Sequence, residues 1–551
     1  MAESIFQTPP TDFDALHREF VWRIPARFNI AQQCCDRHAA GADGIAVHYE
    51  NLAGDAARYR FSDLKRLSDR FAQALRDLGI VHGDRVAMVL PQRPETVIAH
   101  LASYKLGAVA VPLSILFGED ALSFRLRDSG AKVVISDTSR LRLIDRLAPD
   151  LPDLKYVIGC APDQGVPDLW SLLNQATGDA DPVDTAADDP ALLIYTSGTT
   201  GPPKGALVAH RALLGNLPGF ELSHNLFPQP GDLFWTPADW AWTGGLWDAL
   251  LPTLYHGMPI LGYEGGKFDA EKACALMDTY QVRNAFLPPT AIKMLMQVPD
   301  MAQRYNIVLR SIMSAGEQVG AELIRWGEQT LGVTINEMWG QTEVNYLVGN
   351  CAALMPVRPG SMGKPYPGHA VDVIDPEGKV LPDGETGELA VRRGDPVMCL
   401  GYWNNEQATR GKFVGDWFCT GDMGYRDGEG YLWFLGRKDD VISSAGYRIG
   451  PGEIEDSLLK HPAVAQAAVI GKPDALRGSI IKAFVVLSDG YEASQELAAD
   501  IRESIRTRLA TYEYPREIEF IDALPMTTTG KVRRIDLRHR EEAASENRNA
   551  F

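Results

Sequence analysis

Apolar residues in this chain fall into short unbroken runs that alternate with longer stretches of helical spacing. "DRVAMVL" (84–90) predicts a strand, "PETVIAHLASYKLG" (94–107) an amphipathic helix, and "AVAVPLS" (108–114) the next strand. "KVVISD" (132–137) and "ALLIY" (191–195) repeat the strand signal. Further on, "VRNAFLPP" leads into "TAIKMLMQV", and "RSIMSAGEQV" into "GAELIRWGEQT"; each pair predicts strand, polar turn, helix. This order is that of an α/β fold with parallel sheets covered by helices, in which ligands sit at turns after strand ends.

The pattern changes near Arg437, where "GRKDDVISSAGYRIGPGEIEDSLLKHPAVAQAAVIG" opens a new strand-helix-strand series. A domain boundary is therefore expected between Lys438 and Asp439, giving a large part (1–438) and a small one (439–551). The acidic stretch "TGDADPVDTAADDP" (177–190) is expected to be a surface connection, and the tail "EEAASENRNAF" to be frayed. No internal repeat or heptad is visible.

Composition narrows the class. The 551 residues, 45% hydrophobic and 23% charged, fit a large globular enzyme of several folding units. No apolar run approaches bilayer-spanning length, and the first residues carry acid rather than base, so a cytoplasmic protein is expected. A formal net charge of -18 argues against a general nucleic-acid surface, so an anionic ligand needs local cations. Seven scattered cysteines without a CxxC spacing predict reduced thiols and no structural zinc. The oligomeric state is not legible.

Candidate chemistry centres on "YTSGTTGPPKGAL" (195–207). It is not a Walker A loop, because Lys204 lies between proline and glycine and the prolines stop a helix from leaving the loop. Thr196, Ser197, Thr199 and Thr200 supply hydroxyl donors, Gly198, Gly201 and Gly205 allow close backbone approach, and Lys204 adds a cation. Those parts suit a clamp on a polyphosphate.

This loop resembles the phosphate loop of the adenylate-forming superfamily, which contains acyl-CoA synthetases, luciferases and peptide-synthetase adenylation domains. "NEMWGQTE" (336–343), the stretch from Trp417 to Glu455, and "LPMTTTGKVRR" (524–534) resemble later motifs of the superfamily in the same order. "SSAGYRIGPGEIEDSLLKHPAV" and "YEYPREIEF" are most similar to short- and medium-chain acyl-CoA synthetases. The resemblance implies a large domain of stacked α/β sheets with a distorted β-barrel, plus a small mobile α/β domain. It implies an ATP-dependent acyl-CoA synthetase that works through acyl-AMP on a short- to medium-chain carboxylic acid, with ATP and CoA as co-substrates and Mg²⁺ as cofactor. Transfer to a carrier protein, or activation of an aryl or branched acid, are the alternatives.

The resemblance also assigns residues. Lys531 corresponds to the lysine between carboxylate and α-phosphate, Thr342 to the α-phosphate contact and Glu343 to the Mg²⁺ carboxylate. Asp422 matches the acceptor of the ribose hydroxyls, with Arg437 in support. Gly316, Glu317 and Gln318 match the adenine-side loop, and Glu337, Met338, Trp339, Gly340 and Gln341 the nucleotide-binding stretch. Asp439 matches the hinge about which the small domain rotates. Ala445, Gly446 and Tyr447 match the segment beside the pantetheine arm, Arg448 a phosphate contact, and Arg477, Arg506 and Tyr514 the surroundings of the CoA nucleotide.

Two departures stand out. Met526 replaces a basic residue present in many relatives. Acetyl-specific members close the acyl pocket with a tryptophan immediately before Gln-Thr-Glu, where this chain has Gly340, the tryptophan being displaced to Trp339; a pocket open to more than acetate is expected. The segment "TPADWAWTGGLWDALL" (236–251) is expected to wall the pocket through Trp240, Trp242 and Gly245, with core packing an equally good explanation for most of its tryptophans. Asp239 is expected to be structural.

Overall fold

The computed structural model describes the chain except residues 1–3, 7–11, 162–164, 177, 197–202, 439, 445–446, 475–477, 507–513, 528–530 and 550–551. The expected Asp439 hinge, Ala445, Gly446 and Arg477 therefore lie outside the described residues, as do Ser197, Gly198, Thr199, Thr200 and Gly201. The chain forms two compact units, one of residues 1–371 and 391–413, the other of 372–390 and 414–551.

Two sheets build the first unit. In the seven-stranded sheet of described residues, Arg85–Val89 runs parallel to both Val109–Leu113 and Val133–Ser136, and Val109–Leu113 runs parallel to Pro190–Thr196. Strands covered on both faces need no polar alternation, which is why they read as unbroken apolar runs. Lys204–Ala209 then pairs antiparallel with Pro190–Thr196, and the short Gly401–Tyr402 strand closes that edge on Lys204–Ala209. In the nine-stranded sheet, Asn284–Phe286, Ser311–Ser314 and Ile335–Trp339 are successive parallel neighbours. The expected strand-turn-helix pairs are present, with helices at Pro289–Leu295 and Ala321–Trp326.

The helix Pro94–Lys105 departs from expectation: it is buried on every side rather than amphipathic. It tolerates this because its charged end is neutralised, Lys105 Nζ lying 2.8 Å from Asp36 and also paired with Asp69. Just before it, Gln92 joins the two sheets. Its side-chain amide donates to the carbonyls of Thr236 (3.0 Å) and Ala238 (2.6 Å), and its Oε1 accepts from Tyr263 N (3.1 Å).

The second unit contains a five-stranded sheet that includes Trp417–Arg426 and Leu432–Arg437, and a three-stranded sheet of Val464–Asp474, Gly478–Leu487 and Glu517–Phe520. Ile454, Leu458, Val469, Val485, Ile501 and Ile505 form the core against the latter. Residues 541–549 of the C-terminal tail, expected to be frayed, continue the helix Arg534–Asn549. Glu541 anchors it: the buried carboxylate pairs with Lys472 at 2.9 Å and with Lys482.

Candidate active site

The two strands that flank the expected phosphate loop are paired with each other. Thr196 opposes Lys204 and Tyr195 opposes Gly205, and Tyr195 Oη is tied to Asp128 at 2.7 Å. Gly205 has a steric reason: a Cβ there would stand 2.7 Å from a Leu193 methyl and 3.2 Å from the Tyr195 ring. Lys204 Nζ lies 5.5 Å from the centroid of the Tyr402 ring, within cation–π range.

The second element of the site is the turn after strand Ile335–Trp339. Gln341 N donates to Val344 O (2.9 Å) and Val344 N returns the bond to Gln341 O (3.1 Å), so Thr342 and Glu343 occupy the two central positions. Glu343 is buried; its Oε1 accepts from the Tyr402 hydroxyl at 2.6 Å, and its backbone carbonyl accepts from Cys399 N at 2.8 Å. Thr342 Oγ1 lies 3.3 Å from Thr243 Oγ1. Behind Thr342 is a small cavity lined by Asn216, Thr243, Trp247 and Asn345 among others. Asn345 donates at 2.5 Å to the buried Asp248, whose carboxyl is pushed up to about 7 by burial, the Asn345 bond opposing the shift.

Gly340 has a steric requirement of its own. A Cβ there would come within 2.6 Å of Tyr346 N and 3.1 Å of the Asn345 carbonyl carbon. The glycine admits the returning backbone of Asn345 and Tyr346. Gly245 is alike: a Cβ would meet the carbonyl oxygens of Asp239 and Ala238 at 2.3 and 2.6 Å.

On the loop expected at the adenine side, Gly316 takes φ +95°, a conformation glycine permits, and Gln318 Nε2 donates to Gly360 O at 3.2 Å. Glu337 supports this loop rather than facing outward: it is buried and its Oε2 accepts from Val319 N at 3.1 Å. Met338 is buried in the strand, while Trp339 is half-buried. In the tryptophan segment, Trp235, Trp240 and Trp247 are core residues, whereas Trp242 is half-buried with its ring edge-on to Phe117 at 5.5 Å. Asp239 is structural as expected, accepting from Ser114 Oγ (2.8 Å) and Ala241 N (2.9 Å).

Within the second unit, Asp422 and Arg437 are cross-strand partners, and Arg437 Nη1 donates to Asp422 Oδ1 at 2.7 Å. Lys531 is exposed; Thr527 N donates to Lys531 O (2.7 Å) and Lys531 N donates to Thr527 Oγ1 (3.0 Å). Arg448 and Tyr447 lie on the strand Tyr447–Ile449. Arg506 is exposed but forms a two-pronged pair with Glu503, both bonds at 2.8 Å, and Tyr514 packs on the unit's apolar core.

Family comparison accounts for this combination of parts. Residues 33–403 match the model of the AMP-binding enzyme family and residues 453–531 that of the AMP-binding enzyme C-terminal domain. The chain belongs to the AMP-binding enzyme family. It is 37% identical over 546 residues to acetyl-coenzyme A synthetase of Bacillus subtilis, covering 95% of this chain and 94% of that protein. It is 32% identical over 550 residues to the mitochondrial acyl-coenzyme A synthetase ACSM3 of Rattus norvegicus, covering 96% and 93%. A solved anthranilate CoA ligase in complex with anthranoyl-AMP superposes with a TM-score of 0.86 at 29% identity, covering 95% of this chain and 99% of the other.

Within this AMP-binding enzyme, the first unit brings together Lys204, Thr342 and Glu343 around residues that motif reading did not select, namely Tyr402, Thr243 and Cys399. Tyr402 lies in "LGYWNNEQAT", about 60 residues beyond Glu343, and carries no spacing signal; only the pairing of its short strand with the phosphate-loop hairpin brings it in. Thr243 sits in a tryptophan-rich segment whose composition signals packing rather than polar chemistry.

Proposed function

We propose that this AMP-forming acid–CoA ligase activates short- to medium-chain carboxylic acids. The observation that carries the proposal is the Thr243–Thr342 contact, which sets the half-buried Trp242 and its partner Phe117 one residue away from the adenylation turn. An acid with its carboxylate at Thr342 has an apolar, aromatic wall on which to lay its carbon chain.

The acid's carboxylate attacks the α-phosphorus of ATP, the bond to the β-phosphate oxygen breaks, and pyrophosphate leaves an acyl-AMP anhydride. The CoA thiolate then attacks the acyl carbonyl and AMP leaves. In the first step two anions must meet, so the site has to neutralise charge where it develops. Lys204 and the Thr196–Gly201 loop take the departing phosphates, the Thr342 hydroxyl takes the α-phosphate, and Lys531 bridges carboxylate and α-phosphate. Asp422, supported by Arg437, accepts the ribose hydroxyls. Residues 439–551 act as the small mobile domain with its hinge at Asp439, exchanging Lys531 for the CoA-binding segment Ala445–Tyr447 between half reactions. Arg448 faces phosphate, and Arg477, Arg506 and Tyr514 complete the CoA contacts, Arg506 by giving up Glu503.

Glu343 fits Mg²⁺ delivered with ATP, because it is a buried hard carboxylate with Oε1 already oriented by Tyr402. Bound there, Mg²⁺ would offset phosphate charge during the displacement. The small ion needs only one or two carboxylates beside the phosphates. Among the described residues no helix is long and apolar enough to cross a membrane.

The test is AMP release with CoA across acids from acetate to decanoate, with benzoate and 2-methylpropanoate included. A maximum between propionate and octanoate supports the reading. A maximum at benzoate would establish an aromatic acid, the reading favoured by the likeness to the anthranilate ligase. Adenylate formation without thioester would redirect it to a carrier protein.

A further inference from the structure

We propose that Tyr402 is a positioning residue for adenylation, one that orients Glu343 and couples it to the phosphate-loop lysine. The inference rests on the reading of Glu343 as the carboxylate that meets the metal carried by ATP.

Three observations converge on this tyrosine. Its hydroxyl donates to Glu343 Oε1 at 2.6 Å, in a setting where both residues are buried. A charge-assisted bond of this kind fixes one carboxylate oxygen and thereby the direction of the other. Its ring faces Lys204 Nζ at 5.5 Å, so one side chain touches the carboxylate through its oxygen and the lysine through its π face. Its backbone is immobilised: Tyr402 pairs with Ala206 and Gly401 with Leu207, Tyr402 N donates to Thr409 Oγ1 at 2.8 Å, and Trp403 N donates to Gly205 O at 2.7 Å. The same segment holds the Glu343 carbonyl through Cys399 N.

The geometry therefore makes a relay between two chemically distinct parts of the site. The hairpin that grips the departing phosphates and the turn that carries Thr342 and Glu343 come from different sheets, and residues 399–403 tie both to one short strand. A shift of the hairpin is transmitted to Glu343 through a rigid aromatic ring. Neither the hydroxyl nor the ring takes a proton or bonds to a reacting atom in this scheme, so Tyr402 acts only through its neighbours.

The full-length chain tests this with Tyr402→Phe, Tyr402→Leu and Glu343→Gln. Two quantities are measured: the Mg²⁺ concentration giving half-maximal acid-dependent pyrophosphate exchange, and the affinity for Mn²⁺, read by electron paramagnetic resonance, in the presence of α,β-methylene ATP. Tyr402→Phe, which keeps the ring and removes only the hydroxyl, should raise the Mg²⁺ requirement and weaken Mn²⁺ binding each by about tenfold, while affinity for the analogue without divalent metal stays within twofold. Tyr402→Leu should add a loss of several-fold in metal-free nucleotide affinity, because Lys204 loses its aromatic face.

If Glu343→Gln shifts both metal readouts and Tyr402→Phe shifts neither beyond twofold, the positioning role is wrong and the reading of Glu343 stands. If Glu343→Gln shifts neither, the metal reading of Glu343 falls and the inference falls with it. A loss of equal size with and without metal in Tyr402→Phe also overturns it, since that marks general packing.

Discussion

At the residue scale, Gly340 is the most instructive position. From sequence, its missing side chain is an absent pocket plug, and Gly340→Trp should shift preference toward acetate or propionate. The space its Cβ would take belongs to the backbone of Asn345 and Tyr346, so an added side chain strikes the turn that carries Thr342. Even Gly340→Ala should cost about 1–3 kcal/mol, seen as a lower midpoint of unfolding, and reduce adenylation while leaving the ranking of acids unchanged. A changed ranking at undiminished stability would restore the plug interpretation. Lys531 presents the opposite case, exposed on its own unit with its backbone held by Thr527. Lys531→Ala should slow acid-dependent pyrophosphate exchange by at least about 100-fold, while thioester formation from supplied acyl-AMP stays within a few-fold. Equal loss of both half reactions would contradict exchange of the lysine between steps.

At the scale of elements, strands and turns were legible because their signals are local. Runs such as Val133–Ser136 and Ser311–Ser314 are apolar on both faces, and the polar turns after them are where the candidate residues fall. Two helices were misread for the same physical reason, since a buried ion pair is invisible in periodicity. Helix Pro94–Lys105 is enclosed because Asp36 and Asp69, distant in sequence, neutralise Lys105. The C-terminal helix is held because Lys472 and Lys482 receive Glu541. Burial disfavours ionised Glu541, but the hydrogen bonds from Lys482 and Lys472 outweigh it and hold the carboxyl below its usual range. Its contribution is thus present above about pH 4.5 and lost as pH falls through the lower folded value. Glu541→Gln should destabilise the chain by about 1–3 kcal/mol at pH 7, measured by denaturant unfolding, with the difference shrinking toward pH 3. A constant difference across that range would remove the charge pairing as its cause.

At the scale of the whole molecule, two buried carboxyls oppose the usual acid sensitivity. Burial raises Glu221 to about 8 even though Ser4 Oγ (2.5 Å) and Ile5 N (2.8 Å) donate to it, and burial raises Asp248 to about 7. In each case the native state binds more protons than the unfolded chain between the ordinary carboxylate range and the raised value. The contribution to stability therefore declines as pH rises from about 4 to 8. Relative to the unmodified chain, Glu221→Gln and Asp248→Asn should gain stability as pH rises through that window, read from unfolding midpoints at pH 5 and 8. Midpoint differences independent of pH would show that neither carboxyl titrates there. The overall division of labour was visible in sequence only through motifs; the relation of Tyr402 to Glu343 was not, because it depends on how an edge strand from residue 401 meets a hairpin two hundred residues earlier.

The joint at Gln92 has a consequence for how such chains diversify. All three of its bonds across to the tryptophan-bearing sheet end on main-chain atoms, of Thr236, Ala238 and Tyr263. A connector that recognises only backbone is indifferent to the side chains it meets. Substitutions at Thr236, Ala238 and Tyr263 that keep the main chain in place therefore leave this joint intact, whereas Asp239, held through its side chain by Ser114, does not share that freedom.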